Sequence, residues 1–115
     1  MAGLNTNEIL KERLSRTAGV HRLTEEETRR IKAIVLETAA EIVRICDELS
    51  IPWMLGGGSA LGAVRHQGFI PWDDDIDLNI PRAYIDRLLD EVESRYPDKY
   101  YVEAPLRTPG YLSSF

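Results

Sequence analysis

Ile31, Ile34, Val35, Thr38, Ile42, Ile45 and Leu49 recur at intervals of three and four residues. That period predicts one amphipathic helix of about seven turns. Thr24 and Glu27 form a capping box at its start, and Glu25 and Glu26 suit the positive end of its dipole. Cys46 is expected to pack beside the stripe, and Pro52 to stop the helix. Upstream, Ile9, Leu10, Arg13 and Leu14 give a second helical stretch over 5–16, which breaks at Gly19.

The period then changes. Trp53-Met54-Leu55 is short, apolar and bounded by glycine, as a buried strand is. Gly56-Gly57-Gly58 follows, with Ser59 as the expected N-cap of a helix over Ala60–His66 that stops at Gly68. Ile76, Leu78 and Ile80 alternate with Asp75, Asp77 and Asn79, so this stretch predicts a strand with one apolar and one polar face. Pro81 suits the first turn of a helix whose stripe is Tyr84, Ile85, Leu88, Leu89 and Val92. Lys99–Val102 is expected to form a third strand. The order of elements indicates a mixed α/β or α+β sheet domain. Residues 1–22 are read as an N-terminal helix and linker, and 23–115 as the sheet domain.

At 115 residues and 43% hydrophobic, the chain has room for one small core. A net charge of -5 argues against nucleic acid as a partner, which needs a basic face to release phosphate counterions. The single cysteine excludes an intramolecular disulfide framework and suits a reducing compartment. No apolar core with a small-residue cleavage site opens the sequence, and no window reaches the length of a membrane span. The expectation is a cytoplasmic protein without an integral membrane segment. Pro105, Pro109, Gly110 and the bare Phe115 fit a natural domain end and a chain cut in mid-fold equally well.

Chemistry concentrates in the acidic run. Asp75 and Asp77, two apart on an expected strand, leave the same face roughly 6–7 Å apart at the backbone. Their repulsion is relieved by a hard divalent cation; Mg²⁺, or Mn²⁺ in its place, takes one or two carboxylates and completes its shell with waters and phosphates. Asp73 is a further candidate ligand, although a solvated acidic edge describes Asp73 and Asp74 equally well. An EF-hand fails, since Leu78 stands where glycine is needed and Tyr84 where the bidentate glutamate is needed. Between strand and helix, Gly57, Gly58 and Ser59 suit a phosphate cradle, because glycine lets backbone N–H groups approach an anion. The turn is neither a P-loop nor a dinucleotide fingerprint. Arg65 either pairs with a phosphate or ties the acidic strand to the helix. His66 could act as a base but reads more readily as structural, and Trp72, which could stack on a base or sugar, is expected to pack in the core next to Pro71.

The run from Trp53 through Gly56-Gly57-Gly58-Ser59, Arg65 and Pro71-Trp72-Asp73-Asp74-Asp75-Ile76-Asp77 resembles the LicD family of phosphocholine transferases and is similar to fukutin-related proteins. The likeness covers about Trp53 to Tyr84. It implies an α+β, nucleotidyltransferase-like (polymerase β-type) mixed sheet with flanking helices, incomplete within these residues. It also implies transfer of phosphocholine or a related phospho-alcohol from a CDP-linked donor to a cell-surface glycan, such as lipopolysaccharide or teichoic acid. Asp75 and Asp77 fall on the family's acidic pair, Gly57, Gly58 and Ser59 on its phosphate turn, and Arg65 and Asp73 on other characteristic positions. Ala60 replaces a larger aliphatic residue, and Glu103 is the sole candidate for the third carboxylate that the fold usually supplies. Two rivals stand beside this reading. One is a sugar-nucleotide glycosyltransferase, and the other a truncated or inactive nucleotide-binding module.

Overall fold

The structure is a computed structural model that describes residues 22–111 together with Glu12, Arg13, Arg16 and Gly19. The chain divides into two compact units, 1–30 and 31–115, and each is taken by itself. Most of the helix expected over 5–16 lies outside the described residues.

In the first unit the capping box forms as expected. The Thr24 N–H donates to Glu27 Oε2 at 2.7 Å, and the Glu27 N–H donates to Thr24 Oγ1 at 3.2 Å. Two of the free N–H groups at a helix start are thereby satisfied. Arg30 pairs with Glu26 one turn earlier at 2.6 Å.

The described elements are helix α1 (Glu25–Glu48), strand β1 (Met54–Leu55), helix α2 (Gly57–Arg65), strand β2 (Leu78–Asn79) and helix α3 (Arg82–Arg95). Helix α1 ends before Pro52. Ser50 takes a left-handed φ of 55°, its N–H returns to Asp47 O at 3.2 Å, and the Ile51 N–H returns to Cys46 O at 2.8 Å. This is a Schellman ending, in which the residue after the left-handed one packs back onto the last turn. Ile51 does so, joining Ile45, Cys46, Leu88 and Val92 in the core. Burial of Ile51 outweighs the preference of serine for negative φ. Cys46 packs beside the stripe as expected and is fully buried in this cluster, where desolvation raises its thiol pKa, as is usual for a structural cysteine. The expected stripe is buried or half-buried except at Ile34, which is 64% exposed, and Ala39 is half-buried beside the stripe.

The sheet is smaller than the expected mixed sheet. It has two antiparallel strands, with Met54 opposite Asn79 and Leu55 opposite Leu78. Trp53, Met54 and Leu55 are exposed rather than buried, and Trp53 Nε1 donates to Asp47 Oδ1 at 2.9 Å. Residues 99–102 form no strand. Lys99 Nζ instead donates to Glu41 at 2.8 Å and to Glu37 at 3.4 Å, the Tyr100 hydroxyl donates to Glu41, and Tyr100 and Val102 pack against the core. Side-chain anchoring to α1 replaces a backbone ladder there.

These bonds, first from Lys99 and then from Tyr100, hold the Glu41 carboxyl below its ordinary value of 4.5. A carboxyl depressed on folding adds stability that is whole above its unfolded value and is lost as pH falls through its folded one. Glu41→Gln should therefore flatten the acid limb of stability. Melting temperatures from pH 7 to pH 3 should converge for wild type and variant at the acid end, and parallel curves would contradict this.

Candidate functional site

The site is built where β1 gives way to α2. The Gly56 N–H donates to Asp77 O at 3.0 Å, which carries the β1–β2 pairing one residue past the ladder. Gly57 then turns with a φ of +43°, a region open to glycine and costly to other residues. Helix α2 starts at once, its first bond running from the Ala60 N–H to Gly56 O at 2.9 Å. Ser59 is thus the third residue of the helix and not its N-cap, which is Gly56. The Ser59 hydroxyl faces the acidic segment and accepts the Asp77 N–H at 2.8 Å.

The β1–β2 pairing, together with the turn at Ile70–Asp73, brings polar side chains over the glycines. A Cβ built on Gly57 would meet Asp77 Oδ2 at 2.5 Å, one on Gly58 would meet Asp73 Oδ2 at 2.7 Å, and one on Gly56 would meet Asn79 Oδ1 at 2.6 Å. Three consecutive glycines are therefore each faced by a polar side chain of the 73–79 segment. Asp75 is exposed and forms no hydrogen bond or ion pair among the described residues. Burial alternates as the sequence predicts: Ile76, Leu78 and Ile80 are half-buried, while Asp75, Asp77 and Asn79 are exposed. The ladder is nonetheless confined to Leu78–Asn79, with the Gly56–Asp77 bond as its last link, because the chain turns away at Gly57.

Residues outside the motif hold the frame. Lys32 Nζ on α1 donates to Pro71 O at 2.9 Å and lies 5.5 Å from the Phe69 ring centroid, anchoring the approach to the acidic run. A turn closes there through the Asp73 N–H and Ile70 O at 3.0 Å. Gly62 is buried, and a Cβ on it would come within 2.5 Å of Gly68 O. The clue in the sequence is a glycine inside a helical run, which costs about 1 kcal/mol against alanine and so calls for a packing reason. After α2 the left-handed residue is Gln67, with φ 54°, rather than Gly68.

Arg65 lies in the last turn of α2, forming no ion pair with the acids. Eight residues of helical rise separate it from Gly57, about 12 Å. His66 is the exposed C-cap of α2, and Trp72 is 77% exposed, against its expected place in the core. Glu103 is exposed in an irregular segment. Among the described residues no three His, Cys, Asp or Glu side chains gather as a metal site. A cavity of about 440 Å³ flanks α2, lined by Leu36, Leu55, Ser59, Ala63, Phe69 and Ile76. Its walls are mainly apolar, with Ser59 and Gln67 as the polar side chains that line it. No helix among the described residues is long and apolar enough to cross a membrane.

Over 46 residues the chain is 50% identical to the lipopolysaccharide cholinephosphotransferase LicD of Haemophilus influenzae, covering 40% of this chain and 17% of that protein. Over 44 residues it is 48% identical to the human ribitol 5-phosphate transferase FKRP, covering 38% and 9%. An uncharacterized protein of Rickettsia prowazekii is 55% identical over 31 residues, covering 27% of this chain and 12% of that one. The chain spans less than a fifth of the length of these relatives. No solved structure matches it. Residues 50–106 match the family model described as LicD/FKTN/FKRP, nucleotidyltransferase domain. The segment that carries the glycine turn and the acidic strand thus belongs to the LicD/FKTN/FKRP family.

Proposed function

We propose that this chain supplies the donor-binding part of a phosphotransferase that moves phosphocholine or a related phospho-alcohol from a CDP-linked donor to a cell-surface glycan. The observation that carries the reading is the approach of the Asp77 and Asp73 carboxylates to the open backbone of Gly57 and Gly58. The proposed frame is a nucleotidyltransferase-type fold, of which the β1–α2–β2 unit is the nucleotide-holding corner.

The donor atoms at hand suit Mg²⁺ or Mn²⁺. They are carboxylate oxygens, which are hard ligands, and one or two of them suffice when phosphates and waters complete the shell. Asp75 and Asp77 would hold the ion, and Asp73, over Gly58, is a further candidate that does not complete a three-carboxylate cluster with them among the described residues. When bound, it supplies neutralisation of the charge on the donor diphosphate. Gly57 and Gly58 keep side chains away from the N-terminus of α2, where backbone N–H groups and the helix dipole favour a phosphate. Ser59 stands beside them in the first turn. Arg65, a helix length away, meets a part of the donor or acceptor beyond those phosphates.

A sugar-nucleotide glycosyltransferase also uses spaced aspartates, but it has no need of a glycine turn ahead of them. The test is product release by the full-length protein with Mg²⁺. CMP should appear from CDP-choline or another CDP-alcohol once a glycan acceptor is added, and UDP-sugars should give nothing. Turnover of a UDP-sugar would favour the glycosyltransferase, and CDP binding without turnover of any CDP-alcohol would favour a binding module.

A further inference from the structure

We propose that Ser59 is a positioning residue, whose hydroxyl acts through the main chain of Asp77 rather than on the donor. The inference rests on the phosphotransferase reading above. Asp77 is held at both of its main-chain polar groups. Its carbonyl accepts the Gly56 N–H at 3.0 Å, and its N–H donates to Ser59 Oγ at 2.8 Å. Both partners belong to the turn that opens α2, so Asp77 is fixed to the frame of the glycine cradle. Only its two side-chain torsions remain free.

With the backbone so held, Asp77 Oδ2 stands 2.5 Å from the point where a Cβ on Gly57 would be. Asp75, the other member of the acidic pair, has no such link among the described residues. The asymmetry gives the two acids different work: Asp77 sets the place of the site, and Asp75 adapts to what binds. A serine hydroxyl that accepts one hydrogen bond still has a proton to donate. Contact with a donor phosphate is therefore a real competing role for Ser59, and the two roles separate by experiment. Residues that orient metal ligands commonly change metal affinity by about 10–100-fold when removed. A phosphate contact does not act until nucleotide is present.

The test uses the full-length protein as wild type, Ser59→Ala and Ser59→Thr, titrated with Mn²⁺ in the absence of nucleotide and followed by the electron paramagnetic resonance signal of free Mn²⁺. Amide hydrogen exchange at Asp77 is measured in parallel. Ser59→Ala should weaken Mn²⁺ binding about tenfold or more and speed exchange at Asp77, while Ser59→Thr restores both. Should the alanine variant not fold, Ser59→Cys makes the same comparison, since it keeps the size with a weak acceptor. Wild-type Mn²⁺ affinity in Ser59→Ala, with weakened CDP binding at saturating Mn²⁺, would overturn the proposal in favour of a phosphate contact. A wild-type protein that takes up no Mn²⁺ overturns the cation reading itself. Unchanged exchange at Asp77 in Ser59→Ala overturns the Ser59 link on its own, because exchange needs no metal.

Discussion

The double variant Asp75→Asn/Asp77→Asn should lose Mg²⁺- or Mn²⁺-dependent binding of CDP while keeping its fold. Asparagine copies the shape of aspartate and removes the charge, so the change falls on the electrostatics of the site. Both residues are exposed, and the bonds that fix Asp77 are made by its main chain, which the substitution leaves in place. Exposed positions of this kind change stability by about 0.5 kcal/mol or less. Binding is another matter. A hard divalent ion draws most of its affinity from anionic oxygen, and an uncoordinated diphosphate would face a turn with little positive charge of its own. A loss of at least about a hundredfold in CDP affinity is expected, or about 2.7 kcal/mol. Calorimetric titration of CDP with and without Mn²⁺ measures it directly. An affinity equal to wild type in the double variant would end the carboxylate–cation–diphosphate account.

The sequence exposes the alternation of the acidic segment more fully than it exposes the sheet. The alternation of Ile76, Leu78 and Ile80 with Asp75, Asp77 and Asn79 is visible as a period of two, and burial follows it. The extent of pairing is not visible, because it depends on how soon the partner strand ends. That is decided by the left-handed turn at Gly57, and a run of three glycines does not say which of them turns. Residues 99–102 mislead for a related reason. Tyr100 and Val102 have strand-like composition, yet the bonds of Lys99 and Tyr100 to Glu41 reach back some sixty residues, and local composition carries no trace of such partners. The same holds for Ser59. Its side chain suits a helix start, so an N-cap is the natural local reading, while its actual partner is Asp77 on the neighbouring segment. Thr24 and Glu27 lie within one turn of each other, and their capping box is legible for that reason. Local determinants survive in the sequence, and those set by strand register do not.

Valine at Gly57 and at Gly58 should block the cradle by two separable routes. At Gly57 the backbone φ of +43° is hostile to any side chain, and a left-handed conformation costs an L-residue about 1–2 kcal/mol. A β-branched side chain fits it worse still. Its Cβ would also stand 2.5 Å from Asp77 Oδ2, so the carboxylate has to leave. Because the Asp77 main chain is tied to Gly56 and Ser59, the shift falls on the side-chain torsions or breaks one of those two bonds. Gly57→Val should therefore lower the melting temperature and weaken Mn²⁺-dependent CDP binding together. Gly58 has no positive φ, and its Cβ would meet only the far end of the Asp73 side chain, at 2.7 Å. That flexible carboxylate can move aside at little cost to the fold, but the valine remains beside the N-terminus of α2, where a phosphate has to approach. Gly58→Val should leave the melting temperature close to wild type and weaken CDP binding by about tenfold or more, about 1.4 kcal/mol. Thermal denaturation and calorimetry on the two variants separate the effects. Normal CDP affinity in Gly58→Val would show that the phosphates lie elsewhere, and the glycines would then serve only to let Asp73, Asp77 and Asn79 close over the turn.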